Sequence, residues 1–499
     1  MNPFEPPSLY KSPGINVLFI LADDMGAWAL GCAGNAEVRT PNLDKLAARG
    51  ILLTNTFCAS PVCSPARASL LTGRIPSQHG VHDWIRRGNS RSESADGALI
   101  DYLEGLPTYT EILASQGYTC GLSGKWHLGR ATVAHKGHTF WHAHGRGGGD
   151  YYGAPMIRED GSEYAEERYV TDVITDHALD FLRAQQREGN PFYLGVHYTA
   201  PHSPWDRGQH PAALFQEYES QCAFRSVPDL PPHPLQIKTA PCGTTPERRR
   251  ELLSGYYAAI TAMDAGIGRL LDVLEEQDLT DTTLVVFTGD NGMNMGHHGL
   301  WGKGNATYPA NMYDTSVRVP FIAACPYRVA EGWVAHSLFS HYDFMPTLLD
   351  FLGMRHLIPT GLPGRSCLDL WQDGDTSASG CDNVVLFDEY GPMRMIRTLS
   401  RKLVLRHPDG PNEFYDVLSD PDEEHNLIAS MLHGNEIDEL TASVDRWFDR
   451  HADPARDGRA LPVTGTGQLD LVGRHRPEPL FHQAFLYADP QQAQAFTHL

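Results

Sequence analysis

The chain has 499 residues, more than one hydrophobic core normally serves, so a large domain with a smaller companion is expected. Apolar residues make up 41% and charged residues 20%, with 47 Gly and 35 Pro, a balance that excludes a disordered chain and suits a loop-rich globular enzyme. A formal net charge of -21 argues against a nucleic-acid partner, which would need clustered Lys and Arg, and requires any anionic substrate to be held by local cations.

The first residues, MNPFEPPSLYKSPG, contain one Lys and no apolar targeting segment, and no later run is long enough to span a membrane. A cytoplasmic protein is the expectation. The nine cysteines are scattered without a CxxC pair, as suits reduced thiols. Asn16 to Ala22 is an unbroken apolar run, predicted as a buried strand that stops at Asp23 and Asp24. Thr40 to Arg49 follows with Leu43, Leu46 and Ala47 at helical spacing behind Thr40 and Pro41. Thr119 to Ser123, Phe192 to His197 and Thr283 to Thr288 are further strand-like runs, and Val170 to Gln185 and Gly255 to Gln277 are helical. The alternation predicts an α/β fold, a large mixed, mainly parallel sheet sandwiched by helices.

In such sheets ligands collect beyond the carboxyl ends of the strands. The residues there are Asp23 and Asp24, then Lys125 and His127, then His202, then Asp290 and Asn291. From about Gly374 the texture changes. Val384 to Phe387, Met393 to Leu399, Arg401 to Arg406 and Glu413 to Asp416 predict a small antiparallel sheet, followed by a helix over Glu436 to Arg450. Residues 1–375 and 376–499 are therefore expected to form two units. The tail from Asp453 carries Phe481, Phe485, Tyr487 and Phe496, which call for burial on the body or in a homo-oligomer.

Paired aspartates at a strand end usually begin a turn or cap a helix. Here Thr288-Gly-Asp-Asn-Gly292 repeats the pattern at a second strand end, and four hard oxygen donors from two such ends suit Ca²⁺ or Mg²⁺. Cys63 lies in Cys-Ser-Pro-Ala-Arg-Ala-Ser-Leu-Leu-Thr-Gly. It has two readings, a small buried hydrophobe or a thiolate nucleophile activated by Arg67 and a helix N-terminus.

The C-x-P-x-R string, followed by L-L-T-G-R, resembles the signature of the type I sulfatases of the alkaline phosphatase superfamily. Supporting motifs occur in the family's order: NVLFILADDMG, TPNLDKLAARG, GKWHLG, APHSP, TGDNG, HGLWGKG, RVPFI, SHYDFMPTLLDFLG and YDVLSDPDEEHNL. One position departs, Ala66, where many members carry Ser.

The resemblance implies hydrolysis of sulfate monoesters, with a separate modifying enzyme oxidising Cys63 to formylglycine. Asp23, Asp24, Asp290 and Asn291 would hold the cation, calcium ahead of magnesium, together with an oxygen of the modified Cys63. One hydroxyl of the hydrated aldehyde would attack sulfur, and His127 would deprotonate the other to release sulfate. Arg67 and Lys125 would anchor the diol. Lys125, Lys303 and His202 would contact the sulfate, Lys303 and His202 also helping the leaving oxygen. Phosphonate or phosphate ester hydrolysis on the same fold is the nearest alternative, and a silent binding protein the more distant one.

The pocket mouth is expected at Trp84, Arg86 and Arg87, at Gly145 to Gly153, and at Trp205 with Asp206. An aromatic face flanked by Arg and Asp suits a sulfated carbohydrate. His135, His138, His142 and His144 are read as a solvated loop.

Overall fold

The structure is a computed structural model that describes residues 14–86, 99–158, 160–185, 189–237, 240–307, 310–374, 381–387, 393–407, 410–461, 463, 465–473 and 479–481. In chain order the strands begin with β1 (Asn16–Ala22), β2 (Ile51–Phe57), β3 (Thr119–Lys125), β4 (His138–His144), β5 (Ala154–Ile157) and β6 (Glu163–Glu166). There follow β7 (Phe192–His197), β8 (Thr283–Gly289), β9 (Asn294–Met295), β10 (Trp301–Gly302), β11 (Arg318–Val319), β12 (Phe321–Ala324) and β13 (Trp333–Ser340). The last four are β14 (Val384–Phe387), β15 (Met393–Arg397), β16 (Arg401–Arg406) and β17 (Glu413–Asp416).

Among the described residues one large sheet runs β11-β2-β12-β8-β1-β7-β3-β4-β5-β6, with β13 added beside β2. From β8 to β4 the central strands are parallel, while β12, β5 and β6 pair antiparallel to their neighbours. β1 shows why its sequence is apolar throughout: it is hydrogen-bonded on both sides and covered on both faces. Its side chains alternate between two cores. Leu18, Ile20 and Ala22 pack with Tyr256, Ile260 and Leu270 of the long helix Pro246–Glu276. Val17, Phe19 and Leu21 pack with Phe344 and Leu348 of the helix His341–Phe351.

The long helix begins nine residues before the predicted start at Gly255. Its opening Pro-Glu-Arg-Arg-Arg is charged all round, so no apolar stripe marks it; instead Thr245 caps Arg248 N–H and Pro246 fits the first turn. The histidine-rich stretch is corrected more fundamentally, because His138–His144 is the strand β4, parallel to β3, with His138 and His144 buried. Backbone carbonyls satisfy these rings, Nδ1 of His138 meeting His135 O at 2.9 Å. A histidine kept neutral in this way packs like any other buried side chain.

Strands β14 to β17 form the expected antiparallel meander. One face meets the main body through Leu386, Met395 and Val404 against Phe57, Val319 and Leu338. The other is covered by Val444 and Phe448 of the helix Gly434–His451. The expected boundary near 375 falls at residues 375–380, outside the described residues. All nine cysteines stand as thiols. Among the described residues no helix is long and apolar enough to cross a membrane.

Of the tail, the described part lies on the body. Asp453 N–H bonds Ser77 O, Arg456 Nη1 bonds Gln78 O, and Phe481 is buried with Val463 and Val472. Phe485, Tyr487 and Phe496 lie outside the described residues.

Candidate active site

β1 and β8 are parallel neighbours with Ala22 opposite Gly289, so both acidic pairs leave the sheet at one level. The carboxylates of Asp23, Asp24 and Asp290 offer oxygens that all lie within 4.8 Å of one another, buried. Asp24 holds a left-handed backbone with φ 59°, which lets its N–H reach Asp290 Oδ1 at 3.1 Å. Such a conformation is uncommon outside glycine and concentrates at functional sites. Asn291 Nδ2 donates to Asp24 Oδ1 at 2.9 Å, while its buried Oδ1 has no hydrogen-bond partner. Burial, then the neighbouring Asp290, push the Asp23 carboxyl above its ordinary range. Burial acts the same way on Asp24, but Lys303, His202 and Lys125 together outweigh it and hold that carboxyl low.

Cys63 is the first residue of the helix Cys63–Thr72, every residue of which is buried. Its Sγ lies 2.9 Å from Lys303 Nζ, 3.4 Å from Asp23 Oδ1 and 3.8 Å from Asp24 Oδ1. One turn on, Arg67 reaches the same cluster: Nε donates to Asp290 Oδ2 at 2.9 Å and Nη1 to Lys125 O at 2.8 Å. Lys125 Nζ bonds Asp23 Oδ2 at 2.5 Å, and Lys303 Nζ bonds Asp24 Oδ1 at 2.6 Å. Three carboxylates thus face three cations. Burial, then Asp23, raise the Cys63 thiol far above its usual value, so it is held protonated.

His127 also has φ 59°. Its Nε2 is 3.2 Å from the carbonyl of Ile85, which can only accept, so Nε2 carries the proton and the buried Nδ1 keeps its lone pair. Burial, then Lys125 and Arg67, press its pKa well below 6.5, leaving the ring neutral. His202 Nε2 lies 3.5 Å from Asp24 Oδ2. The loop Gly145 to Gly149 passes directly over both imidazoles. A β-carbon at Gly147 would sit 2.3 Å from His127 Cε1, and one at Gly148 2.7 Å from His202 Cε1, so side chains are barred at both positions.

The predicted residues Asp23, Asp24, Cys63, Arg67, Lys125, His202, Asp290, Asn291 and Lys303 thus share one contact network. His127 joins through Lys125 and Ile85. Trp84 and Arg86 are engaged elsewhere, Trp84 Nε1 with Gly465 O at 3.3 Å and Arg86 Nη1 with Thr466 O at 3.0 Å. Arg87 lies outside the described residues. Trp205 is corrected: it is buried against Tyr256 with Nε1 on Pro201 O, which rules it out as an exposed stacking face. Asp206 pairs with Arg248 at 2.8 Å. Two residues were missed. His144 stands directly beside Lys125 in the sheet register, and Ser64 accepts Ile85 N–H at 3.1 Å. The strand-end rule would have found His144 had β4 been recognised.

Comparison with known proteins agrees with this arrangement. Residues 15–354 match the Sulfatase family model, and residues 296–449 match the model for the N-sulphoglucosamine sulphohydrolase C-terminal region. An N-acetylglucosamine-6-O-sulfatase of Bacteroides thetaiotaomicron is 26% identical over 88% of this chain and 87% of its own. Human N-acetylgalactosamine-6-sulfatase is 30% identical over 70% of this chain and 66% of its own. Among solved structures, a complex with its substrate D-glucosamine-2-N,6-O-disulfate superposes with a TM-score of 0.70 at 24% identity, over 89% of this chain and 99% of that one. With its alkaline phosphatase-like sheet and these matches, the chain belongs to the type I sulfatase family and is a sulfuric ester hydrolase.

Proposed function

We propose that the enzyme hydrolyses O-sulfate monoesters of a carbohydrate, using Cys63 as formylglycine and a divalent cation, calcium ahead of magnesium, held by Asp23, Asp24, Asp290 and Asn291. The observation that carries the reading is the convergence of three buried carboxylates beside Cys63, with the Asn291 Oδ1 left unpartnered. All are hard oxygen donors, and a buried polar atom without a partner is costly unless a ligand satisfies it. The names of the relatives support a sulfated sugar.

When bound, the cation supplies charge neutralisation at the ester and an acidified hydroxyl at the nucleophile. The aldehyde of formylglycine, once hydrated, supplies one hydroxyl to attack and a second through which sulfate is expelled. The thiol of Cys63 marks where those oxygens stand. Lys303, 2.9 Å from that sulfur, and Lys125 and Arg67, both bonded to the carboxylates, gather positive charge where sulfate oxygens must lie. His127, neutral and with Nδ1 open, accepts the proton from the second hydroxyl. His202, beside Asp24, hands a proton to the leaving oxygen.

A panel of O-sulfated monosaccharides, oligosaccharides and an aryl phosphonate tests the reading. The sulfated sugar is expected to have the larger kcat/KM. In active protein the tryptic peptide Gly50 to Arg67 is expected to carry the aldehyde. A larger kcat/KM on the phosphonate would overturn the substrate class. Full turnover with a free thiol at Cys63 would overturn the nucleophile.

A further inference from the structure

The turn over residues 80–86 runs between the nucleophile helix and the base. Ile85 touches both: its N–H is held by Ser64 Oγ, next to Cys63, and its carbonyl accepts from His127 Nε2. Residues 80–84 belong to no strand or helix, and the turn's own bonds are short-range, such as Val81 N–H to His79 Nδ1 at 3.1 Å and Trp84 N–H to Asp83 Oδ1 at 2.8 Å. A further set of partners comes from nearly 400 residues away.

Gln468 lies on the C-terminal strap and is fully buried. Its main chain bridges Ile85: Gln468 N–H donates to Trp84 O at 2.8 Å, and Arg86 N–H donates to Gln468 O at 3.1 Å. Its side chain spends every polar atom on backbone. Oε1 accepts from the N–H groups of His82 at 2.8 Å and Asp83 at 3.3 Å, while Nε2 donates to Gly80 O at 2.8 Å and Asp470 O at 2.9 Å. Only an amide offers two acceptor and two donor directions from one planar group. Leucine would fill the space but remove all four of these hydrogen bonds.

We propose that Gln468 is a positioning residue for the sulfatase reaction: it clamps the 80–86 turn so that the Ile85 carbonyl fixes the tautomer and orientation of His127. The proposal rests on the assignment of His127 as the base. In the imidazole, a carbonyl on Nε2 dictates that Nδ1 is the proton acceptor. A turn free to shift by an ångström would release the ring, and displacement on that scale costs roughly a hundredfold in rate.

Steady-state kinetics of the full-length enzyme on its best sulfated substrate tests this, with Gln468→Leu, Gln468→Glu and Tyr102→Phe beside His127→Ala. Tyr102 Oη donates to Leu469 O at 3.0 Å, so removing that hydroxyl loosens the strap while the Tyr102 main chain keeps its bond to Leu128 O beside His127, and Tyr102→Phe stands in if Gln468→Leu fails to fold. The expected result is a kcat lowered roughly ten- to a hundredfold in Gln468→Leu with KM within about twofold. Gln468→Glu keeps the two acceptor bonds and should fall between it and wild type, and Tyr102→Phe should show a smaller loss of the same kind. If kcat is unchanged in both Gln468→Leu and Tyr102→Phe while His127→Ala is inactive, the strap is only structural and the proposal falls alone. If His127→Ala keeps wild-type turnover, the base assignment falls and takes the proposal with it.

Discussion

Two buried clusters of opposite charge can be compared in this chain. At the ends of β1 and β8, Asp23, Asp24 and Asp290 crowd together, with Arg67, Lys125 and Lys303 around the outside. Where the small sheet meets the body, the signs alternate: Lys402 Nζ lies 2.9 Å from Asp314 Oδ1 and 2.5 Å from Glu423 Oε1, and Arg397 Nη2 lies 3.3 Å from Asp314 Oδ2. Both clusters are out of water, so composition and burial do not tell them apart. The arrangement does. Alternating signs neutralise each other locally and join two units; carboxylates crowded on one another, with their cations outside, set hard oxygens side by side as a cation requires.

Exchanging one residue in each cluster should separate the two roles most sharply. Asp290→Asn keeps the shape but removes a charge and one acceptor oxygen, since both carboxylate oxygens accept N–H donors, and kcat/KM is expected to fall roughly a thousandfold, the lost contribution being several kcal/mol of charge stabilisation. Measured without the cation, its melting temperature should fall less than that of Lys402→Ala, because one of three crowded carboxylates is neutralised, and retained activity would break the comparison. Lys402→Ala should behave the other way. It strands Glu423 in the interior and leaves Asp314 to Arg397, at a cost of about 3–5 kcal/mol measured by denaturant unfolding, while the kcat/KM of the folded fraction stays near wild type.

A cation should stabilise only the first cluster. Calcium at a hundred times its dissociation constant should add about 2.7 kcal/mol to wild type and nothing comparable to Asp290→Asn, and a chelator should reverse it. Equal stabilisation of both proteins would move the cation elsewhere.

The smallest effect concerns a third kind of buried group, the neutral histidine. Burial lowers His82 to about 4 from 6.5, so below pH 6.5 the unfolded chain binds a proton that the folded one refuses. Stability from this group is present above 6.5 and is lost as pH falls toward 4. Between pH 6.5 and 5 the loss is about 1.5 kcal/mol, and His82→Phe should flatten that part of the Tm profile. An unchanged slope would show that His82 is not held neutral.

Much of the first cluster was legible because its acidic residues sit beside the strands that carry them. Ala22-Asp23-Asp24 and Gly289-Asp290-Asn291 each join an apolar strand to its polar end in a few residues, and the strand-end rule needs nothing more. Cys63, Arg67 and Lys303 needed the family motifs, since no periodicity distinguishes a catalytic lysine from a surface one. β4 was missed because His-Thr-Phe-Trp-His-Ala-His looks polar until backbone carbonyls are seen to satisfy its rings. Trp205 was misplaced because aromatic residues beside a motif look alike whether buried or exposed. The small sheet was legible from turns alone, but its ionic lock was not. Asp314 and Lys402 lie 88 positions apart, and nothing local links them.

The clamp on the 80–86 turn carries a consequence for timing. About 400 residues separate Cys63 from Gln468, so at 5–20 residues per second a ribosome needs roughly 20–80 s to make the second after the first. Throughout that interval the helix of Cys63 lacks the strap that completes its surroundings. On the proposed formylglycine reading, an oxidising enzyme would have this window to reach Cys63, which is only 3% exposed in the finished fold. Slower translation between the two positions would then raise the modified fraction, and the distance in sequence becomes a clock.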